Sequence, residues 1–189
     1  MKIHGTAKGA ALSTKDFGVA FGAPTPEVQT CQGESYSSEN KGLGQDDMIR
    51  IGMMPATNNP LIDIVANKFS LNLKRQGSLT SYSIGARIYD DSDPPEEQAQ
   101  SNNTISDVAD DWEFRQFTFD DDFTVTANFY YVIYIVSGTF TSSNRVDVRM
   151  SGYNVPATSY NATVFYTDAG GWNETSLGNY WSCAICFTG

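Results

Sequence analysis

The chain holds 22 acidic residues, and twelve of them fall between Asp90 and Asp122, a stretch with one base, Arg115. Two runs inside it, Asp90, Asp91 and Asp93, then Asp120, Asp121 and Asp122, carry the oxygen donors that a hard cation needs, since calcium takes about six to eight oxygens. Asp90, Asp91, Asp93, Asp120 and Asp122 are therefore the candidate ligands of a structural calcium, and no other cofactor is expected. Neither run has the spaced pattern of an EF-hand loop, with its central Gly and closing Glu. The commoner use of such residues is in solvated loops and edges, where charge keeps a particle soluble and stops strands from pairing with neighbours.

Paired carboxylates also serve glycosidases, roughly 5 to 9.5 Å apart across the sugar. Twelve acids in one stretch meet that distance by chance, so spacing alone carries no catalytic claim. Nucleophilic catalysis by serine needs an imidazole base, and the single histidine, His4, stands near the N-terminus. The expectation is a protein that does not catalyse.

The three cysteines, Cys31, Cys183 and Cys186, are too few and odd in number for a disulfide framework. Cys183-Ala-Ile-Cys186 has C-x-x-C spacing but no second pair or nearby histidine to complete a zinc site. In an extended strand, residues three apart point to opposite faces, so these two thiols diverge. They read as small buried hydrophobes, with a bridge from Cys31 to either as a further option.

For sugar recognition the useful residues are exposed aromatics beside amides, because tyrosine joins an apolar face to a polar tip. Tyr153, Tyr160, Trp172 and Tyr180 are the candidate glycan-binding residues, with Tyr166 as a further aromatic and Asn154, Asn161 and Asn173 as neighbours. With ten tyrosines in the chain, some are exposed in any sandwich, so the plainer reading of these residues is surface.

These side chains need elements to place them. The length of 189 residues suits one domain plus an arm. Aromatics at 13% and charged residues at only 18% are the composition of an exterior β protein with uncharged polar faces. A formal charge of -10 excludes nucleic acid as a natural partner, since phosphate is met by clustered Lys and Arg. No apolar run reaches the length of about 18 residues needed for a membrane helix, so no membrane insertion is expected. The N-terminus lacks the apolar core of a secretory signal.

Residues 1–22 are Gly- and Ala-rich, with Phe17, Val19 and Phe21 alternating near their end. They are expected to form an N-terminal extended arm with a role in assembly. Residues 23–60 are expected to be a loop-rich connector with one or two strands, around Gln29 to Gly33 and Met48 to Met53. From residue 61 the alternation becomes regular, as period two demands of half-buried strands. Phe69, Leu71 and Leu73 share one face, and Lys68, Ser70, Asn72 and Lys74 the other. Tyr82, Ile84, Ala86 and Ile88 follow in the next strand, and an acidic loop spans Asp90 to Asn103. Trp112 to Phe119 is a strand ending in a hinge at Asp120-Asp121-Asp122. Tyr130 to Val136, uncharged throughout, is a central strand covered on both faces. Asn144 to Met150, Asn161 to Thr167 and Tyr180 to Phe187 supply three more. Short strands at near-regular spacing without an amphipathic helix predict a sandwich over 61–189.

The order of Ala66-Asn67-Lys68-Phe69-Ser70-Leu71, Ile84-Gly85-Ala86-Arg87-Ile88-Tyr89-Asp90-Asp91, a Pro-bearing acidic loop, Trp112 to Phe119, the Tyr-rich strand, Gly170-Gly171-Trp172 and the closing Cys186-Phe187-Thr188-Gly189 resembles the jelly-roll domains of phage and archaeal-virus structural proteins and bacterial surface proteins, relatives of carbohydrate-binding modules. The resemblance implies an all-β, antiparallel jelly-roll β-sandwich with Trp112 and the Tyr-rich strand in its core. It also implies a structural, decoration or host-contact role in a virion or cell-surface assembly. The expected partners are further copies of the chain, in a homo-oligomer, and neighbouring assembly proteins. A surface glycan is the alternative partner.

Overall fold

The computed structural model describes residues 27–33, 39–150, 162–168, 171–174 and 182–189. Twelve strands account for the regular structure of these residues: β1 (Gln29–Gln32), β2 (Glu39–Leu43), β3 (Arg50–Pro55), β4 (Val65–Gln76), β5 (Ser83–Asp90), β6 (Glu97–Gln100), β7 (Glu113–Thr124), β8 (Phe129–Ser137), β9 (Arg145–Met150), β10 (Ala162–Asp168), β11 (Gly171–Glu174) and β12 (Ile185–Thr188), with one 3-10 turn at Gln45–Asp47. The strands form two six-stranded sheets. The first runs β1-β12-β4-β9-β2 with β7 on the other side of β4, and the second runs β11-β10-β3-β8-β5-β6. Every pairing is antiparallel.

The sheets share one core. Phe69, Phe117, Phe119 and Phe187 of the first sheet are buried against Tyr131, Ile133, Ile84, Ile51 and Met53 of the second. Tyr131 meets Phe187 edge-on at 4.9 Å between ring centroids and Phe69 at 6.0 Å, the arrangement in which a positive ring edge meets a negative face. The predicted inward positions Phe69, Leu71, Leu73, Ile84, Ala86, Ile88, Ile133 and Val148 are all in this cluster, so the chain folds as an all-β sandwich. The core position expected of Trp112 is not found. It precedes β7, half-buried, beneath the Arg149 guanidinium at 5.8 Å.

Three further expectations change. The sandwich does not begin at residue 61, because β1, β2 and β3 precede it and pair within the sheets, β3 lying between β10 and β8. β1 and β3 fall where strands were expected, around Gln29 to Gly33 and Met48 to Met53, whereas β2 does not, since its polar, glycine-bearing residues give no alternation. The supposed polar face of β4 is covered in its middle, with Ser70 and Asn72 at 3% and 5% exposure. Ser70 is flanked by Cys186 on β12 and Gln116 on β7. Finally, Asp120-Asp121-Asp122 is no hinge between elements, since β7 runs through it. Pairing is regular to Lys68↔Thr118, but Ala66 faces Phe123 where an unbroken ladder would place Asp120. Three extra residues of β7 therefore bulge at this point, which bends a strand and re-aims its side chains.

Candidate functional site

Cys31 and Cys186 stand opposite one another in the β1·β12 register, with Cα atoms 4.0 Å apart, and form a disulfide that ties the first described strand to the last. Cys183 is free and lies in the core cluster. The divergence expected of the C-x-x-C pair is found, one sulfur in the bridge and the other inside. Burial pushes the Cys183 thiol up to about 12, so it is inert at neutral pH.

The β7 bulge opens a cleft at one edge of the sandwich, where β6 ends the second sheet and β7 ends the first. Its volume is about 310 Å³. The bulge supplies Phe119, Asp120, Asp121, Asp122 and Phe123, and β6 supplies Gln98, Ala99 and Gln100, with Ile88 and Phe129 behind them. The three aspartates are exposed, whereas Phe119 is buried and Phe123 and Phe129 are half-buried. The site thus has an aromatic floor with amides and carboxylates at its rim.

A cross-brace holds this edge. The Asn102 N–H donates to the Thr118 carbonyl at 2.8 Å, the Thr118 N–H to Asn103 Oδ1 at 2.8 Å, and Asn103 Nδ2 to the Gln116 carbonyl at 3.0 Å. Asn103 replaces a missing strand, so β7's outer edge is partly satisfied there. Asn102 Nδ2 donates to Asp120 Oδ1 at 2.9 Å and fixes that carboxylate at the mouth of the cleft.

Asp90 does different work. Its Oδ1 accepts from Ser92 Oγ at 2.5 Å, the Glu96 N–H at 2.9 Å and the Ser92 N–H at 3.2 Å, while Oδ2 accepts from Gln98 Nε2 at 2.8 Å. The Ser92 hydroxyl, then the Glu96 N–H, hold its carboxyl below the usual carboxylate range. Asp90 closes the loop that leads into β6, and its engaged oxygens leave little for a cation. Asp91 and Asp93 are exposed in that loop. Among the described residues no group of three or more His, Cys, Asp or Glu converges as a metal centre would.

Of the candidate glycan residues, Tyr153, Tyr160 and Tyr180 lie outside the described residues, as do Asn154 and Asn161. Trp172 is on β11 opposite Thr167, and Tyr166 on β10 opposite Asn173. The structure instead brings together Asp120 and Asp122 with Gln98, Gln100 and Phe129, which the sequence did not single out. β6, Glu-Gln-Ala-Gln, has no apolar alternation and passes for loop; only the amides between acidic residues hint at it.

No family model, curated protein or solved structure matches the chain. The functional reading rests on its own chemistry.

Proposed function

We propose that the chain is a non-enzymatic structural protein of a virion or an extracellular surface, a jelly-roll with an N-terminal arm that decorates or braces an assembly or contacts a host, and that self-associates through arm and sandwich. The observation that carries this reading is the Cys31–Cys186 bridge. Such bonds persist in oxidising surroundings, which agrees with a chain composition of only 18% charged residues. Light scattering of the oxidised full chain tests it. The expected mass is a multiple of 20.7 kDa, and a monomer throughout the micromolar range overturns the self-associating role.

A second reading, glycan binding, is favoured by the cleft, where Phe123 and Phe129 offer apolar faces beside Gln98, Gln100 and Asp121. Pockets of this kind join an apolar floor to a few placed polar groups, and a sugar presents both surfaces. On a glycan array the full chain then gives a specific signal that Gln100→Ala and Asp121→Ala weaken. A signal unchanged by both removes the cleft from consideration.

A further inference from the structure

The cleft beside the β7 bulge joins an aromatic floor to a polar rim, and the charge of that rim discriminates among sugars. Three carboxylates line it, from Asp120, Asp121 and Asp122, and no Lys, Arg or His does. Side chains on consecutive residues of a regular strand point to alternating faces, so an unbroken β7 would send these three apart. The bulge gathers them on one cavity instead. The bonds that join Asn102 and Asn103 to Thr118 fix the strand just before it. The rim is thus arranged before any ligand arrives, which lowers the ordering cost of binding.

Nothing in the surrounding strands neutralises this rim. Arg87 of β5 is engaged by Glu97 at 3.0 Å and by Gln100 Oε1 at 3.1 Å, and Arg115 of β7 by Asp107 and Glu113. Asp120 accepts from Asn102, whereas among the described residues Asp121 and Asp122 have no hydrogen-bond or ion-pair partner. Gln98 Nε2 donates to Asp90 Oδ2 at 2.8 Å and Gln100 Oε1 accepts from Arg87, which leaves Gln98 an acceptor and Gln100 a donor. The cleft therefore offers a ligand mainly acceptors, two of them on uncompensated carboxylates, above the half-buried rings of Phe123 and Phe129.

Resting on the second reading above, that the cleft binds a glycan, we propose that its ligand is a cationic glycan carrying free amino groups, of the 2-amino-2-deoxy hexose class. A protonated sugar amine gives Asp121 and Asp122 charge-assisted hydrogen bonds, roughly twice as strong as neutral ones, and relieves the repulsion between like charges held side by side. The same ammonium is attracted by the faces of Phe123 and Phe129. Ring hydroxyls use the remaining acceptor of Gln98 and donor of Gln100, which a bare alkylamine leaves unmet. A neutral or N-acetylated sugar fills the same space without answering the carboxylates. The volume of about 310 Å³ lies at the low end of the range for small-ligand sites, about 300–1,000 Å³, so the cleft reads one sugar unit of a longer chain.

Isothermal titration of the oxidised full chain with β-1,4-linked tetramers of glucosamine, N-acetylglucosamine and glucose tests it, at about pH 6, where such amines carry a proton. The glucosamine tetramer is expected to bind roughly tenfold or more tightly than the other two, and to lose that advantage in Asp121→Asn/Asp122→Asn, as the loss of a charge-assisted contact implies. Phe129→Leu is expected to weaken it severalfold while keeping its preference over glucose, with near-ultraviolet circular dichroism as the control for folding in both variants. Equal or tighter binding of either neutral tetramer overturns the amine but leaves the cleft a glycan site. Binding of none of the three overturns the glycan reading of the cleft as well. Tetralysine binding as tightly as the glucosamine tetramer refutes the proposal, because the cleft then reads charge without sugar, and so does binding that neither folded variant weakens.

Discussion

The outer faces of the two sheets solve the same problem with different chemistry. On the first sheet the outward row holds the Cys31–Cys186 bridge, Ser70, and the pair of Arg145 with Asp147, the latter fully buried and 2.6 Å from Arg145 Nε. Gly42 on β2 makes room for that carboxylate, since a Cβ there would lie 2.3 Å from Asp147 Oδ1 and 2.7 Å from the Val146 carbonyl. On the second sheet the outward row is Tyr89, Tyr130, Val132 and Tyr134, with arginines over the rings. The first face is pinned by directed bonds, which fail when one partner is removed. The second is held by area, which weakens gradually.

The largest effect expected of breaking this contrast is Asp147→Ala, which strands a partly buried guanidinium and costs about 3–5 kcal/mol. Chemical denaturation reads it, and the double replacement of Arg145 and Asp147 by leucine recovers most of the loss, since a buried pair is often no better than an apolar one. Next, Cys31→Ser with Cys186→Ser, or reduction of the native chain, costs about 2–5 kcal/mol because the open chain regains the entropy of a long loop. The two treatments give the same midpoint, and Cys183 stays unlabelled by iodoacetamide at pH 8 until the chain unfolds. On the second sheet, Val132→Ala removes two methyls and costs about 2 kcal/mol. Its loss is insensitive to reductant and salt, and equal sensitivity on both faces would erase the distinction drawn here.

Smaller effects come from titration. Burial raises the Tyr131 hydroxyl, which accepts the Thr126 N–H at 3.2 Å. The folded chain therefore keeps a proton that the unfolded chain loses above about pH 10, and stability falls as pH rises beyond that value. Tyr131→Phe removes this alkaline component. Asp90 shows the opposite sign, because its folded carboxyl is depressed. The order it gives residues 91–96 is full above the ordinary carboxylate range and is lost as pH falls through its lowered value. Local amide exchange detects this, and in Asp90→Asn the acid dependence disappears.

Much of the sandwich was legible because alternation is a local property. Phe69, Leu71 and Leu73, or Ile84, Ala86 and Ile88, declare one buried face wherever the rest of the chain goes. β2 and β6 were not legible, since Glu-Asn-Lys-Gly-Leu and Glu-Gln-Ala-Gln have no such period and are strands only because β9 and β5 offer them backbone partners. The candidate site divides in the same way. The aspartate run at 120–122 is plain in the sequence, but its conversion from hinge to bulge depends on the register against β4.

Residue order by itself determined an all-β chain with an apolar central strand, two diverging thiols in C-x-x-C and a concentrated acidic stretch, because each follows from neighbours along the backbone. Tertiary structure alone chose Cys186 over Cys183 for Cys31, opened the cleft beside β6 and turned Tyr89, Tyr130 and Val132 to the outer face of the second sheet. Those outcomes depend on which distant strands hydrogen-bond and in what register, and a register shift of one residue would send every side chain to the other face.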